Sequence, residues 1–276
     1  MKFRTIEISD PRFETLGLRH VTVKSLALNQ RADITLYVPR VSFENEAIPI
    51  VILLHGVYGS HWAWAWKGGA HLTADRLIVE NKIRPMILAM PSDGLWGDGS
   101  GYLKHEAKDF ESWIVEEVPE IVRQVSSIHA DSPVFIGGLS MGGYGALRLG
   151  AKYPGQFRGM SGLSSIVDFT DWQPFMEEEI SMLPVPEKER NVLYYFLKNR
   201  NNLPPFRFDC GTADELIGSN RKLHKALVFE NIPHEYKEFP GGHEWPYWEM
   251  GLGRSLLFFE NILCSHPEVS ELRKST

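Results

Sequence analysis

An apolar strand that ends abruptly at a glycine-flanked serine is the feature that most constrains the fold of this chain. Residues 134–139 are apolar or glycine, Ser140 follows, and a helical pattern begins directly after it. The segment Gly138-Leu-Ser-Met-Gly142 fits G-x-S-x-G, in which the serine occupies a strained strand-to-helix turn that leaves no room for larger neighbours. The motif predicts an α/β sheet that presents the Ser140 hydroxyl at its edge. A glycine-rich turn with an incidental serine is the alternative.

Strand and helix patterns alternate along the chain, which favours a doubly wound, mostly parallel α/β sheet. The first two predicted strands adjoin through a short polar turn as an antiparallel hairpin, whereas helices join the later strands, which must run parallel. Pro119 interrupts one helical stretch and predicts a kink or the first turn of a new helix. The predicted strands cover residues 20–28, 34–39, 50–54, 86–90, 134–138, 159–163, 206–210 and 234–239, and the predicted helices cover residues 72–81, 108–127, 142–152, 214–230 and 246–263.

One stretch, residues 166–205, breaks this alternation. It is irregular, with three consecutive glutamates, two prolines and one short helix-like pattern at residues 189–198. A long insertion at the active edge of a sheet commonly covers the site, so we expect a small cap here, with a peripheral excursion as the alternative. A chain of 276 residues suits one α/β domain, and we expect residues 1–276 to form a single domain that contains the cap.

The charge balance argues against nucleic acid or an anionic membrane as a partner. The chain has 29 basic and 35 acidic residues, a formal charge of −6 and no block of like charge. The N-terminal residues lack the apolar segment of a signal peptide, and no run is long enough to span a bilayer, so we expect a cytoplasmic protein. Cys210 and Cys264 are too few for a disulfide framework or a cysteine-based zinc site.

A serine hydroxyl is a weak nucleophile at neutral pH and needs a base that is itself oriented by a third group. His243 lies in a glycine loop between the last predicted strand and the last helix, where the chain order serine, acid, histidine places the base. Asp214 follows the preceding strand and is our candidate for the acid. A turn histidine and an Asp214 that only caps the next helix are the alternatives. Glu215 is expected in the first turn of that helix, and Asp209 inside the strand.

Two backbone amides are expected to stabilise the negative charge that develops on the substrate oxygen. The Met141 N–H lies at the start of the helix after Ser140, where unpaired amides and the helix dipole favour an anion. The loop that follows residues 50–54 supplies the second donor, for which the Val57 N–H is the candidate. No histidine or carboxylate lies at metal-ligand spacing around His55, so we expect neither metal catalysis nor a cofactor.

These motifs resemble those of a family of α/β-hydrolases that includes esterase D, tributyrin esterase, S-formylglutathione hydrolase and the mycolyltransferases. The likeness runs over about residues 32–263 and rests on Gly138-Leu-Ser-Met-Gly-Gly-Tyr-Gly-Ala, Asp209-Cys-Gly-Thr-Ala-Asp214 and Pro240-Gly-Gly-His-Glu-Trp-Pro-Tyr-Trp248. It implies the α/β-hydrolase fold, with Ser140, Asp214 and His243 as the triad and the Val57 and Met141 amides as the oxyanion hole. Leu139 stands where S-formylglutathione hydrolases usually carry histidine, which favours a tributyrin-esterase-like or carbohydrate-acyl esterase.

Aromatic side chains after two strands are candidates for substrate contacts. Tyr58, Trp62 and Trp66 follow the strand at 50–54, and Trp96 follows the strand at 86–90, so all are expected near the active edge. Indoles there could stack on sugar or aromatic rings. In a helix Trp62 and Trp66 would lie on one face. Two tryptophans packed at the hinge of a lid would show the same spacing, so a hinge is the alternative to substrate contact.

The sequence as a whole predicts a serine carboxylesterase that hydrolyses short-chain acyl esters, with acetylated or feruloylated carbohydrate as candidate substrates. Thioester hydrolysis and acyl transfer by the same triad are the alternatives within enzymes, and a ligand-binding protein on a hydrolase frame is the alternative outside them. The expected partner is a small-molecule ester, and a homo-oligomer is compatible with the sequence.

Overall fold

The computed structural model describes residue 3 and residues 5–40, 46–94, 97–179 and 185–265. The strands of this part of the chain form one sheet. They are β1 (Ile6–Ile8), β2 (Leu18–Ser25), β3 (Gln30–Tyr37), β4 (Ile50–Leu54), β5 (Ile87–Pro91), β6 (Val134–Leu139), β7 (Gly159–Leu163), β8 (Phe206–Gly211) and β9 (Glu235–Phe239). Their order across the sheet is β1-β2-β3-β5-β4-β6-β7-β8-β9.

The pairing of these strands confirms the predicted fold class. β1, β2, β3 and β5 pair in antiparallel fashion, and every pairing from β5 through β4 to β9 is parallel. The sequence pattern did not predict β1, because three residues are too few to show an alternation of polar and apolar side chains.

Helices connect the parallel strands on both faces of the sheet. They are α1 (Ala63–Trp66), α2 (Ala70–Val79), α3 (Phe110–Ser112), α4 (Val118–Ser126), α5 (Met141–Lys152), α6 (Leu193–Lys198), α7 (Ile217–Phe229) and α8 (Trp245–Ser265). Across the described residues, none of these helices combines the length and the apolar character needed to cross a bilayer.

The core lies on both faces of the sheet, as parallel strands require. Along β4, Ile50, Ile52 and Leu54 face one buried cluster, whereas Val51 and Leu53 face the other. Every residue of β4 to β8 is therefore buried, and solvent can reach these strands only at their ends.

The predicted helix at residues 108–127 is divided in the structure. A π-helical turn, Trp113–Glu117, separates α3 from α4, and Pro119 lies in the first turn of α4, where its missing N–H costs no hydrogen bond. The turn directs the Glu117 carboxylate to the Ser25 hydroxyl at 2.6 Å and to the backbone amides of Leu26 and Ala27 at 3.1 and 3.0 Å. These hydrogen bonds turn the chain after Ser25. β2 therefore ends at Ser25, whereas the predicted strand extended to residue 28.

A buried ionic cluster fastens the insertion to the helix that follows Ser140. Arg148 of α5 is fully buried and pairs with Glu111 at 2.5 Å and with Glu189, which belongs to a 3₁₀ helix of the insertion. Lys152 of the same helix also pairs with Glu111, at 2.8 Å. Removing one partner of a buried ion pair costs about 3–5 kcal/mol, so this end of the insertion is firmly held.

Because three histidines are at least partly buried, we expect the free energy of unfolding to decrease in mild acid. Burial lowers the pKa values of His61, His71 and His105 below their ordinary 6.5. The unfolded chain then binds more protons than the folded protein below about pH 6.5, so the free energy of unfolding falls as the pH decreases, by at most about 1.4 kcal/mol per pH unit for each histidine. Urea unfolding at a series of pH values measures this slope.

His71 offers the sharpest test of this slope. Its side chain is 3 % exposed, and neither ring nitrogen has a hydrogen-bond partner among the described residues. His71→Leu is expected to reduce the dependence on pH, whereas His129→Leu, which alters a side chain that is 44 % exposed, serves as the matched control. An unchanged slope in His71→Leu would contradict the assignment.

Candidate active site

Ser140 occupies a strained turn between β6 and α5. Its φ and ψ are 54° and −119°, a backbone conformation that residues other than glycine rarely adopt. Backbone hydrogen bonds hold the turn: the Ser140 amide donates to Leu163 at 3.0 Å, and its carbonyl accepts from Tyr144 at 3.0 Å and from Ile166 at 3.2 Å. The surrounding chain thus stabilises a conformation that points the hydroxyl away from the sheet.

The two glycines of the motif are required by close contacts. A Cβ atom at Gly138 would overlap the carbonyl of Gly142, and a Cβ at Gly142 would lie 2.5 Å from the carbonyl carbon of Leu54 and 2.6 Å from the carbonyl oxygen of His55. All of these neighbours are backbone atoms, which cannot move aside as a flexible side chain could. The spacing of the motif is therefore explained by packing at this turn.

The structure brings Ser140, His243 and Asp214 into one hydrogen-bonded chain. His243 Nε2 lies 3.0 Å from Ser140 Oγ, and His243 Nδ1 lies 3.0 Å from Asp214 Oδ2 and 3.2 Å from Oδ1. Since a carboxylate can only accept, Nδ1 carries the proton and Nε2 is free to accept the serine proton. This is the geometry of an activated nucleophile.

Asp214 makes the predicted contact with His243, but it does not cap α7, whose N-cap residue is Leu216 and has no side-chain cap. Besides His243, its carboxylate accepts a hydrogen bond at 2.9 Å from the Leu216 amide, just before α7. Burial raises the pKa of Asp214, but the hydrogen bond and charge of His243 and the Leu216 amide outweigh burial, so the pKa lies below its usual value. The carboxylate is therefore ionised at neutral pH and can stabilise an imidazolium.

The two backbone amides proposed for the oxyanion hole lie in segments that follow the neighbouring strands β6 and β4. Met141 is the first residue of α5, and Val57 lies in the loop after β4. Among the described residues, neither amide has a hydrogen-bond acceptor. A Cβ on Gly99 would touch the Met141 side chain and lie 3.6 Å from Val57 Cγ1, so the backbone at Gly99 closes the space between these two residues.

Comparison with known proteins identifies the family. A family model described as "Putative esterase" matches residues 25–259. An acetyl esterase of Caldicellulosiruptor saccharolyticus is 31% identical over 239 residues, which cover 79% of this chain and 86% of that protein. The chain belongs to the Putative esterase family. It is a serine hydrolase of carboxylic esters.

A second curated protein matches this esterase in sequence, and two solved structures match it in fold. An endo-1,4-beta-xylanase/feruloyl esterase of Xylanibacter ruminicola is 26% identical over 237 residues, which cover 80% of this chain but 29% of that protein. A solved ferulic acid esterase superposes with a TM-score of 0.75 at 23% identity, covering 94% of this chain and 99% of that one. An S-formylglutathione hydrolase of Staphylococcus aureus gives a TM-score of 0.75 at 18% identity, covering 92% of this chain and all of that one, 100%.

The imidazole of the esterase's His243 is enclosed by two aromatic rings that the sequence did not single out for this contact. The Phe175 ring lies 4.9 Å from it at an interplanar angle of 32°, and the Trp248 ring lies 4.9 Å from it edge-on at 89°. Only 16% of the His243 side chain is exposed. Phe175 belongs to the insertion, so residues 166–205 supply part of the wall around the base.

The other two carboxylates near Asp214 point elsewhere. Asp209 is fully buried and binds Arg207 at 2.6 Å, the Tyr247 hydroxyl at 2.7 Å and Arg254 at 3.3 Å, so it joins β8 to α8. Glu215 is exposed and precedes α7, which begins at Ile217, so its predicted place in the first turn of the helix is wrong. The helix begins later because the Asp214 carboxylate draws the Leu216 amide into a turn.

Contacts at the rim of the esterase join the insertion to the loop that carries Val57. Tyr58, beside Val57, donates its backbone N–H to the Asp98 carbonyl at 3.2 Å. The Asp98 carboxylate accepts the backbone amides of Glu177 and Glu178 at 2.6 and 2.7 Å. The Glu177 amide also lies 3.2 Å from the Tyr58 hydroxyl. A charged acceptor strengthens such hydrogen bonds. Asp98 therefore links its own loop to the loop of Tyr58 and to the insertion.

The tryptophans predicted to contact substrate lie in different environments. Trp62 and Trp66 are 41% and 57% exposed on one side of α1, whereas Trp64 is buried and donates to the Leu54 carbonyl at 2.9 Å. In the described part of the chain, no ring contact joins Trp62 or Trp66 to His243, and Trp66 packs against His71. Trp96 lies outside the described residues. No group of three or more metal-ligating side chains gathers among the residues that are described.

Proposed function

We propose that this esterase hydrolyses short-chain acyl esters through an acyl-enzyme intermediate on Ser140, with His243 as the base and Asp214 as the group that orients it. The observation that carries the proposal is the continuous hydrogen-bonded chain, with 3.0 Å from Ser140 Oγ to His243 Nε2 and 3.0 Å from His243 Nδ1 to Asp214 Oδ2. All three side chains follow strand ends at one edge of the sheet.

The first half of the reaction forms the acyl-enzyme. Ser140 Oγ attacks the ester carbonyl carbon while His243 Nε2 takes the serine proton. The carbonyl oxygen becomes an oxyanion and accepts hydrogen bonds from the Val57 and Met141 amides. The intermediate collapses, the bond to the alcohol oxygen breaks, and His243 gives its proton to the departing alcohol.

The second half reverses these roles with water as the nucleophile. His243 Nε2 takes a proton from water, whose oxygen attacks the acyl carbon, and the same two amides hold the oxyanion. Collapse breaks the bond to Ser140 Oγ, which recovers its proton from His243 and releases the carboxylic acid. Asp214 keeps Nδ1 protonated and stabilises the imidazolium in both halves. Apart from this water, each step uses side chains and backbone amides of the protein.

The space next to the two amides supports a short acyl group. A Cβ atom on Gly99 would overlap the Met141 side chain and lie 3.6 Å from Val57 Cγ1, and Met141 is fully buried. We propose that this packing limits the length of the acyl chain carried by Ser140. The acetyl esterase relative acts on an ester with a similarly small acyl group, as its name states.

The alcohol side of the substrate is proposed to be a carbohydrate. Tyr58, Trp62 and Trp66 are 60%, 41% and 57% exposed, and exposed indole and phenol rings offer flat apolar faces on which sugar rings stack. We further propose that residues 166–205 form a cap within a single domain, because Phe175 lies against His243 and Glu177 binds Asp98. Thioester hydrolysis, acyl transfer and a purely ligand-binding role receive no specific support from these contacts.

A panel of p-nitrophenyl esters with acetyl, butyryl and octanoyl groups tests the proposal. We expect acetate and butyrate to be cleaved with kcat/KM at least about tenfold above octanoate, since one methylene is worth a factor of about 10 or more in a confined pocket. Acetylated xylan tests the alcohol side, where Trp62→Ala and Trp66→Ala are expected to lower activity while p-nitrophenyl acetate is unaffected. Octanoate as the best ester would contradict the short acyl pocket.

A further inference from the structure

The direction of the Val57 N–H is fixed by the atom that holds the carbonyl of Gly56. These two groups belong to one peptide unit, in which the N–H and the C=O are coplanar and point in opposite directions. A group that binds the Gly56 carbonyl oxygen on one side of the loop therefore turns the Val57 N–H towards the other side. The loop can present its amide to the substrate only while that carbonyl is held back.

His55 binds this carbonyl from inside the protein. Its Nδ1 lies 2.7 Å from the Gly56 oxygen, and the Gly59 amide reaches the same oxygen at 3.2 Å. The His55 side chain is almost fully buried. A Cβ atom on Gly59 would lie 2.6 Å from His55 Nδ1, so glycine at that position leaves room for the ring to reach the carbonyl.

A second contact indicates which nitrogen of His55 carries the proton. The backbone amide of Asp93 lies 3.2 Å from His55 Nε2, and a backbone amide can only donate. The Asp93 carboxylate lies farther from Nε2, at 3.7 Å, so the amide is the nearer partner. Nε2 must therefore be an unprotonated acceptor, and Nδ1 carries the hydrogen that is donated to Gly56. The two neighbours together select one neutral tautomer, which is the one that can hold the carbonyl.

Buried neighbours keep the ring and the Asp93 segment in place. The Tyr102 hydroxyl donates to the His55 carbonyl at 3.0 Å, and the Tyr102 ring meets the imidazole edge-on at 5.9 Å. The Asp93 carboxylate accepts the Ser100 amide at 2.9 Å, in the loop that brings Gly99 to Met141 and Val57. His55 is thus part of a rigid support beneath the loop rather than an isolated core histidine.

We propose that His55 is a positioning residue for the reaction: its Nδ1–H holds the Gly56 carbonyl and so aims the Val57 N–H at the oxyanion. This inference rests on the proposed function, because it assigns His55 to the oxyanion hole of the Ser140 reaction. Loss of one such donor typically lowers kcat about 10²–10³-fold. When the Nδ1 donor is removed, the Gly56 carbonyl keeps only its hydrogen bond from the Gly59 amide. The Gly56–Val57 peptide plane can then flip, which turns the Val57 N–H away from the substrate.

Two amide variants separate the two nitrogens of the ring. In His55→Asn the side-chain NH₂ can occupy the place of Nδ1 and donate to Gly56, but nothing reaches Asp93. In His55→Gln the side-chain oxygen can accept from Asp93 as Nε2 does, but no donor lies at the Nδ1 position. The experiment measures kcat and KM for p-nitrophenyl acetate, the inhibition constant of a trifluoromethyl ketone, which forms the tetrahedral adduct, and the melting temperature.

We expect His55→Gln to lose at least about 10²-fold in kcat with KM within about threefold, and to bind the ketone more weakly by a similar factor. His55→Asn is expected to keep kcat within about tenfold of the parent. His71→Leu, which removes another buried imidazole, is the matched control and is expected to stay within about threefold. A merely structural histidine would not give parallel losses in kcat and in ketone binding.

The opposite order of the two amide variants, equal activity in both, or wild-type kcat in His55→Gln would overturn the inference. If His55→Gln does not fold, His55→Asn decides alone: a loss well above about tenfold in a folded protein overturns it, and a smaller loss supports it. Ser140→Ala separates the two proposals. Turnover that survives in Ser140→Ala refutes the proposed function, whereas an inactive Ser140→Ala beside an unaffected His55→Gln refutes only the role of His55.

Discussion

Ser140→Ala is expected to lower kcat for p-nitrophenyl acetate by about 10⁶-fold, the loss typical of a missing nucleophile in a serine hydrolase. Its Oγ is the proposed nucleophile and lies 3.0 Å from His243 Nε2. Steady-state turnover, together with covalent labelling by a fluorophosphonate located at residue 140, measures the effect. The variant removes one oxygen from a buried site, so its melting temperature is expected to change little.

Ser165→Ala is the matched control for this loss. Its hydroxyl is also buried near the strand ends, but no described residue forms a hydrogen bond with it. We expect that variant to keep kcat within about threefold. The double variant Ser140→Ala with His243→Ala is expected to be no slower than either single variant, because the base has no function once the nucleophile is gone. Activity above about 1% in Ser140→Ala would refute the assignment of the nucleophile.

Asp214→Asn is expected to lower kcat by about 10⁴-fold while leaving the fold intact. The asparagine amide can place an NH₂ against His243 Nδ1, which then has to accept, and the proton moves to Nε2, where it blocks removal of the serine proton. The charge that stabilises the imidazolium is lost at the same time. Turnover of p-nitrophenyl acetate with the melting temperature as a second measurement tests both statements.

Asp209→Asn distinguishes an effect on stability from an effect on catalysis, because Asp209 lies in β8 whereas Asp214 lies in the loop after it. Asp209 is as deeply buried as Asp214 but binds Arg207, Arg254 and Tyr247 rather than His243. Loss of its charge leaves Arg207 buried without its closest carboxylate, for which we expect a loss of about 3–5 kcal/mol in the free energy of unfolding. The folded fraction is expected to keep kcat within about tenfold. If Asp209→Asn is the slow variant and Asp214→Asn is active, the acid has been misassigned.

The sequence was sufficient for those parts of the site that depend on local geometry and chain order. The glycines at positions 138 and 142 are needed within one turn, so their spacing already indicates a strained serine. Asp214 and His243 each follow a strand, and the apolar patterns of the sequence predict the order of these strands along the chain. Parallel strands end at one edge of the sheet, and the predicted meeting of these side chains follows from topology alone.

What the sequence could not predict depends on contacts between distant segments. Phe175 lies in an irregular insertion, and no periodic pattern indicates that its ring packs on His243. The π-helical turn at Trp113–Glu117 arises with a carboxylate that binds amides about 90 residues earlier, at Leu26 and Ala27. The role proposed for His55 likewise requires knowing that Asp93 faces its second nitrogen. Long-range partners of this kind leave no signal in a single sequence.

The ring of Phe175 belongs to the insertion and packs directly against the catalytic base, His243. This contact limits how this esterase can be engineered. A chimera that receives the insertion of a relative also receives a new neighbour for the imidazole of His243. In a series of such chimeras, ester selection and turnover are therefore expected to vary together rather than independently. A graft that keeps the 3₁₀ turn Gln173–Phe175 and exchanges the segment beyond it would uncouple the two properties.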